Sequence, residues 1–341
     1  MGTISALDIS LQARSRDRLG AILRERKAQE EATGMHGRDF ISITDLTPEE
    51  LRAVLATASR LKSEGYPNVL AGQTLALLFE KPSLRTRVSF DVAMQRLGGH
   101  TVYLPQSEVG LGQREPVADV ARVLSRYVHG IVARTYAHQT LLDLAESAKV
   151  PVINALSDEG HPCQALADVL TIQEKKGTLE GIRISYVGDG NNVAVSLAQA
   201  AAMAGAHFCI ASPPGYRLPE EVMIASEELA SRAGGSFRMV EAPTDAVRDA
   251  DVVYTDVWTS MGQEDSYEQR LQAFKDYQVT PELVREAQPD AIVMHDLPAH
   301  RGEEIVDEVL EGPQSVVFDQ AENRLHAQAA ILLMLLGEAA E

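Results

Sequence analysis

The sequence predicts an α/β fold of two doubly wound parallel-sheet domains, with the C-terminal helix packing back on the first domain. Three observations lead there. Short apolar runs alternate with amphipathic helical stretches along the chain, as in parallel sheets whose crossovers are helices. Clear helix starts and glycine stops separate these segments: Thr47-Pro48-Glu49-Glu50 joins an N-cap, a proline at the first helical position and a glutamate three residues after the cap. Polar clusters come just after the strands, and ligands of such sheets bind at the strands' carboxyl ends.

The helix opened by Thr47 runs through Leu51, Val54, Leu55, Ala58 and Leu61 and stops at Gly65. In the first half, strands are expected over 74–79, 101–104, 130–133 and 151–156, with helices over 83–97, 117–127 and 141–148. The second half should hold strands over 182–187, 207–211, 237–240, 251–255, 291–295 and 316–318. Its helices are expected over 165–175, 194–204, 219–233, 281–287, 303–310 and 321–336. The turn-rich stretch from Asn154 to Gln164 is the candidate domain junction. It divides the chain into an N-terminal extension over 1–36, a first domain over 37–156 joined by the C-terminal helix (321–341), and a second domain over 157–320.

The 341 residues suffice for two domains. With 31 Lys and Arg against 49 Asp and Glu, the net charge of −18 argues against nucleic acid or an anionic membrane as the main partner. An anion site in so acidic a chain must concentrate its cations locally. The two cysteines, Cys163 and Cys209, make no disulfide framework, and no Cys/His spacing suggests a metal site. The apolar run 329–336 is too short to span a membrane, and the N-terminus lacks a signal-peptide core. The first thirty residues are locally basic, yet Asp8, Asp17, Glu25, Glu30 and Glu31 weigh against a transit peptide. A helical extension resting on a neighbouring subunit, in a soluble cytoplasmic protein, is the expectation.

The densest chemistry lies in Phe79-Glu80-Lys81-Pro82-Ser83-Leu84-Arg85-Thr86-Arg87. Pro82 stops a strand and Ser83 caps the next helix, whose first turn offers unpaired backbone N–H groups and the positive end of the macrodipole. With Ser83, Arg85, Thr86 and Arg87 this makes a receptor for a phosphate-like dianion. The same residues also suit a plain capped helix with arginines paired to nearby carboxylates. Arg134 and His138 follow the third strand and can add a cation and a donor. His161-Pro162-Cys163-Gln164 supplies donors able to polarise a carbonyl, or merely a helix start at Pro162.

Gly188-Asp189-Gly190-Asn191-Asn192 resembles a dinucleotide loop, but Val193 stands where the third glycine belongs and Ala211-Ser212-Pro213 offers no ribose-binding acid. Asp189 and Asn192 therefore read as small-ligand or turn residues. Asp256 can bind a cationic amine, and Ser260-Met261-Gly262 suits a mobile loop. His295-Asp296-Leu297-Pro298 brings a second carboxylate, with His300 or Arg301 as its alternative partners. Arg324 can return one more guanidinium to the anion site.

In this order the clusters resemble the carbamoyltransferase family, most closely its ornithine branch, over about residues 39–336. The resemblance implies a carbamoyl-phosphate domain, an amino-acid domain, no cofactor, and a homotrimer with active sites at subunit interfaces. By it, Ser83, Leu84, Arg85, Thr86, Arg134, His161, Pro162, Cys163, Gln164 and Arg324 hold carbamoyl phosphate. Asn192, Asp256, Ser260, Met261, Asp296 and Leu297 hold L-ornithine, and Arg85, Arg134, His161, Asp256 and Asp296 carry the chemistry. Two departures stand out. Asp296 replaces the cysteine usual between the His and the Leu-Pro, and Gly110 replaces a usual Gln or His near the phosphate, with Gln106 or Gln113 as substitutes. Asp296 opens the alternative of a carbamoyltransferase for a different amine or amide, and a non-catalytic paralogue that binds carbamoyl phosphate is a second alternative.

Overall fold

The computed structural model describes residues 34–337; the expected N-terminal helix lies outside them, apart from its last residues. Thr47 caps helix α1 (Pro48–Glu64), its hydroxyl accepting the Glu50 N–H while the Glu50 carboxylate accepts the Thr47 N–H. The first sheet contains β1 (Thr74–Phe79), β2 (His100–Pro105), β3 (Gly130–Arg134) and β4 (Val152–Leu156). Its order is β2-β1-β3-β4, every neighbouring pair parallel. Helices α2 (Leu84–Arg96), α3 (Val117–Leu124) and α4 (His138–Ser147) make the crossovers, and α5 (Pro162–Lys176) leads to the second domain.

The second sheet runs β5 (Arg183–Val187), β6 (His207–Ala211), β7 (Ser236–Val240), β8 (Val252–Thr255) and β9 (Ile292–His295), in the order β7-β6-β5-β8-β9. Helices α6 (Asn192–Met203) and α7 (Glu220–Ala233) follow β5 and β6, and α8 (Tyr267–Phe274) follows β8. The last helix, α9 (Val317–Leu336), packs against α1, α2 and α5, so it does return to the first domain. One apolar core joins the domains across their back: Leu55 of α1, Leu166 and Leu170 of α5, Leu197 of α6, and Ile331 and Leu335 of α9. Among the described residues no helix is long and apolar enough to cross a membrane.

In each sheet the strand order reverses once, between β1 and β3 and between β5 and β8. Crevices open at the carboxyl ends of strands at such reversals. The loops after these four strands carry most of the residues singled out above.

Three expected elements differ. The strand over 316–318 is the start of α9: Val293 N–H donates to Gln314 O and Val316 N–H to Val293 O, and after these two ladder bonds the chain turns helical. The helix over 303–310 shrinks to Asp307–Leu310, because Gly302 N–H closes a turn on Ile305 O. The helix over 281–287 keeps one turn, Pro281–Val284. Helix α8 and the turn Pro243–Val247 carried too short an apolar period to be read.

Candidate active site

Strand β1 ends at Phe79 and Ser83 caps α2, its hydroxyl accepting the Thr86 N–H at 3.3 Å. Glu80 ties this loop to the one after β3: Tyr136 N–H donates to Glu80 Oε2 at 2.7 Å and Glu80 N–H to Arg134 O at 2.8 Å. Arg324, two turns into the long C-terminal helix, reaches the same place. Its Nη1 donates to Gln164 Oε1 and its Nη2 to Thr86 Oγ1, each at 2.8 Å.

This network supports one wall of a cavity of about 580 Å³ between the two domains. On that wall lie Lys81, Pro82, Ser83, Leu84, Arg85, Arg134, His161 and Arg324. Asn192, Asp256, Ser260, Met261, Asp296 and Leu297 face them from the second domain. Arg134 Nε, Arg324 Nε and His161 Nδ1 are buried and have no hydrogen-bond partner among the described residues. Buried polar atoms are rarely left so. Burial, reinforced by Arg324, Arg134 and Arg85, holds the His161 imidazole well below its usual pKa, so it is neutral at physiological pH. Arg134 is brought down by burial to about 10 and stays charged there.

Thr86, Pro162, Cys163 and Gln164 stand behind this wall rather than on it. The first turn of α5 faces the core: the Cys163 thiol donates to Asn154 O at 3.4 Å, and burial pushes it up to about 12, so it is inert. Gln164 is spent on Asp168 and Arg324. Arg87 lies over the Tyr103 ring at 3.7 Å, and His138 Nδ1 pairs with Ser157 Oγ at 2.8 Å; neither reaches the cavity. The loop at Gly110 does not reach it either, and Gln106 is bonded to the Leu111 backbone.

The opposite wall is acidic. One oxygen or nitrogen from each of Asp256, His295 and Asp296 lies within 4.8 Å of the other two. Asn191 Nδ2 donates to Asp256 Oδ2 at 2.7 Å and also orients α6, its Oδ1 capping Val193 and Ala194. Burial raises Asp256 well above the usual carboxylate range, and the facing Asp296 pushes it further. Burial also works on Asp296, but His295 and Asp256 outweigh it and hold that carboxyl low. Asp256 thus holds a proton more tightly than Asp296 does. Asp296 does not partner His300 or Arg301, which pair with Glu303 and with Asp307 and Glu311.

His295 donates from Nε2 to Glu304 Oε1 at 3.0 Å, and its Nδ1 accepts the Leu297 N–H at 2.9 Å. Burial lowers the imidazole, yet Asp296 and Glu304 raise it to about 9 overall. The Leu297 N–H opposes that gain, and the Nδ1–Asp296 Oδ1 contact is long at 3.5 Å. Asp189, read as a ligand or turn residue, is instead buried against Arg270, whose Nη1 lies 2.7 Å from Asp189 Oδ2.

Sequence reasoning gave no role to Lys81, Thr259, Glu264 or Tyr267, all on the cavity lining. Lys81 was visible, adjoining Pro82; it is buried, with Nζ 4.5 Å from the centre of the Tyr136 ring. Glu304 gave no local signal, since its partner His295 lies nine residues earlier.

A cationic wall facing a buried carboxylate pair across a domain cleft defines an enzyme that brings an anionic donor to an amine. Comparison with known proteins agrees. Residues 38–174 match the aspartate/ornithine carbamoyltransferase carbamoyl-P binding domain, and residues 180–335 match the family's Asp/Orn binding domain. The chain belongs to the aspartate/ornithine carbamoyltransferase family. It is 54% identical over 307 residues to an ornithine carbamoyltransferase of Pyrococcus abyssi, covering 89% of this chain and 97% of that one. A relative of the same name from Acidothermus cellulolyticus is 55% identical over 304 residues, covering 89% and 97%. The solved ornithine carbamoyltransferase of Pyrococcus furiosus superposes with a TM-score of 0.86 at 53% identity, covering 89% of this chain and 98% of that one.

Proposed function

We infer that the chain transfers the carbamoyl group of carbamoyl phosphate to the δ-amine of L-ornithine, giving L-citrulline and phosphate, as an ornithine carbamoyltransferase of arginine metabolism. The observation that carries this reading is the set of unpartnered buried donors on Arg134, Arg324 and His161, facing the Asp256–Asp296 pair across one cavity. Donor and acceptor ends of a carbamoyl transfer need these two chemistries at these two walls.

In this reading Ser83, Leu84, Arg85 and Arg134 take the phosphate with the α2 N-terminus, and Arg324 holds Thr86 in place. Neutral His161 and Arg134 donate to the carbamoyl oxygen as it gains negative charge. Asp256, with Asn192 and Asp296, takes the substrate amine, while Ser260, Met261 and Leu297 enclose it. The uncharged δ-nitrogen forms a bond to the carbonyl carbon, the carbon–oxygen bond to phosphate breaks, and the surplus amine proton leaves with the phosphate dianion. Carbamoyl phosphate is already activated, so the step needs positioning and charge stabilisation. The first domain (37–156, with the C-terminal helix) would serve the donor and the second domain (157–320) the amine.

A homotrimer in the cytoplasm belongs to the same reading. Leu84 (75% exposed) and Val88 (49%) lie one helical turn apart on α2, and Val102 (46%) is exposed on edge strand β2. A neighbouring copy docked there would bring its own residues to the anion loop. The decisive experiment is ureido-product formation from carbamoyl phosphate with a panel of ornithine, acetylornithine, putrescine, lysine and aspartate. Product with ornithine is expected; product only with another amine overturns the reading, and none at all favours a non-catalytic paralogue.

A further inference from the structure

The second sheet bears another concentration of positive charge, at the edge opposite the active site. Its parallel register sets Arg183 of β5 beside His207 of β6, and His207 beside Ser236 of β7. Two residues on, where side chains return to the same face, Cys209 stands beside Arg238. The helical turn Pro243–Val247 packs on β5, β6 and β7 and is followed by Arg248. Between them lies a cavity of about 280 Å³, lined by Arg183, His207, Cys209, Ser236, Arg238 and Arg248.

Three guanidinium groups, an imidazole and a hydroxyl thus share one concavity in a chain of net charge −18. His207 Nδ1 bonds Ser236 Oγ at 2.9 Å, fixing the first row. In the second row, Arg238 Nη2 donates to Cys209 Sγ at 3.7 Å, a weak acceptor that leaves the rest of its fork for a ligand. Arg183 and Arg238 have no carboxylate in ion-pair range among the described residues. Arg248 has only Asp245, at 3.6 Å and exposed, a pair of little strength. The acid nearest in the ladder, Asp251, is engaged by the Arg183 backbone N–H at 2.8 Å.

We propose that this cavity, at the amino ends of β5, β6 and β7, is a second anion site that takes a phosphate-class dianion, as free phosphate or a small phosphomonoester. Planar guanidinium forks match the oxygen spacing of that group, and two forks from β5 and β7, the strands on either side of β6, can grip it from two sides. The active-site cavity lies at the opposite, carboxyl ends of the strands, so the two sites are separate and do not compete directly. An occupied site stabilises the folded second domain by mass action.

The test is calorimetric titration of the full chain with inorganic phosphate and, separately, phenyl phosphate, in about 150 mM KCl to screen diffuse attraction. The wild type should bind at two sites. Arg183→Gln/Arg238→Gln should abolish one and leave kcat/KM for carbamoyl transfer within about twofold of the wild type, roughly 0.4 kcal/mol. Arg134→Gln should abolish the other. Binding of either probe at the Arg183/Arg238 site supports the proposal, and preference for one identifies the source. A single site lost with Arg134→Gln, or two sites surviving in the Arg183/Arg238 variant, overturns it. The calorimetric reading holds even if no carbamoyl transfer is detected, so the failures of the two proposals are distinguishable.

Discussion

Arg324 and Thr86 are 238 residues apart in sequence, yet Arg324 Nη2 donates to Thr86 Oγ1 at 2.8 Å. The C-terminal helix thereby fastens the first turn of α2, whose backbone and Arg85 face the cavity. The anion receptor is closed from the far end of the chain.

Replacing that arginine should cost the receptor both its geometry and a charge. Arg324→Gln is expected to lower kcat/KM for carbamoyl phosphate by roughly 10²-fold, since hydrogen bonds to charged groups contribute about 1.5–3 kcal/mol. Arg324→Lys should recover little, because an ammonium cannot fork between Thr86 and Gln164. Steady-state kinetics at varied carbamoyl phosphate checks this; a Lys variant near wild-type rate would contradict it.

Asp296 should set the acid limb of the activity profile. An ionised carboxylate beside the amine site favours the protonated amine, which cannot attack, so activity requires a higher pH. In Asp296→Cys the limb should move down by roughly one pH unit. Rates at saturating substrate across the pH range decide the matter, and superimposable profiles would remove Asp296 from this role.

Asp168 makes stability depend on pH in a definite direction. Burial raises its carboxyl to about 7 in spite of hydrogen bonds from Gln164, Gln320 and Tyr254. With the folded pKa above the unfolded 3.8, its favourable contribution is complete at low pH and is lost as pH rises through 7. Relative to Asp168→Asn, the wild-type Tm should therefore fall between about pH 4 and pH 7. A constant difference between the two melting curves would show that Asp168 is ionised throughout.

The Met261 loop should be sensitive at Gly262, whose φ is +94° and whose added Cβ would lie 3.5 Å from Tyr136 Cε1. A side chain in that backbone region costs roughly 1–2 kcal/mol. Gly262→Ala should raise KM for ornithine about tenfold, with Tm little changed because the strain is local. A large fall in Tm with unchanged KM would mean that Gly262 serves the fold alone.

Behind that loop, Arg270 pairs with Asp189 and also donates to Trp258 O at 2.7 Å. Removing one partner strands a buried charge, so Arg270→Met should destabilise the protein by about 3–5 kcal/mol. Asp189→Asn added to it should restore part of the loss. Denaturant melts of the single and double variants measure this coupling, and strict additivity would argue against it.

The two-domain architecture was legible because parallel strands buried on both faces leave unbroken apolar runs, and because caps such as Thr47 and Ser83 act locally. The start of α9 is not legible locally: Val316 and Val317 have strand-like side chains, while two ladder bonds to β9 and the helix beyond them are set by packing. The clusters at Ser83, Asp256 and Asp296 were visible as residues after strands. Their grouping was not, since Asn191's hold on Asp256 and Glu304's on His295 join different elements.

By itself the sequence determined the alternation of strands and helices, the polar clusters at strand ends and the order in which they occur, all of which arise from local periodicity and turn chemistry. Tertiary structure decided which side chains face the cavity. It turned Cys163 and Gln164 inward, spent Asp189 on Arg270, and set Asp296 against Asp256 so that Asp256 holds a proton more tightly than Asp296 does. The reason is physical: burial and the approach of distant charges fix ionisation and orientation, and both exist only once the two sheets have closed on each other.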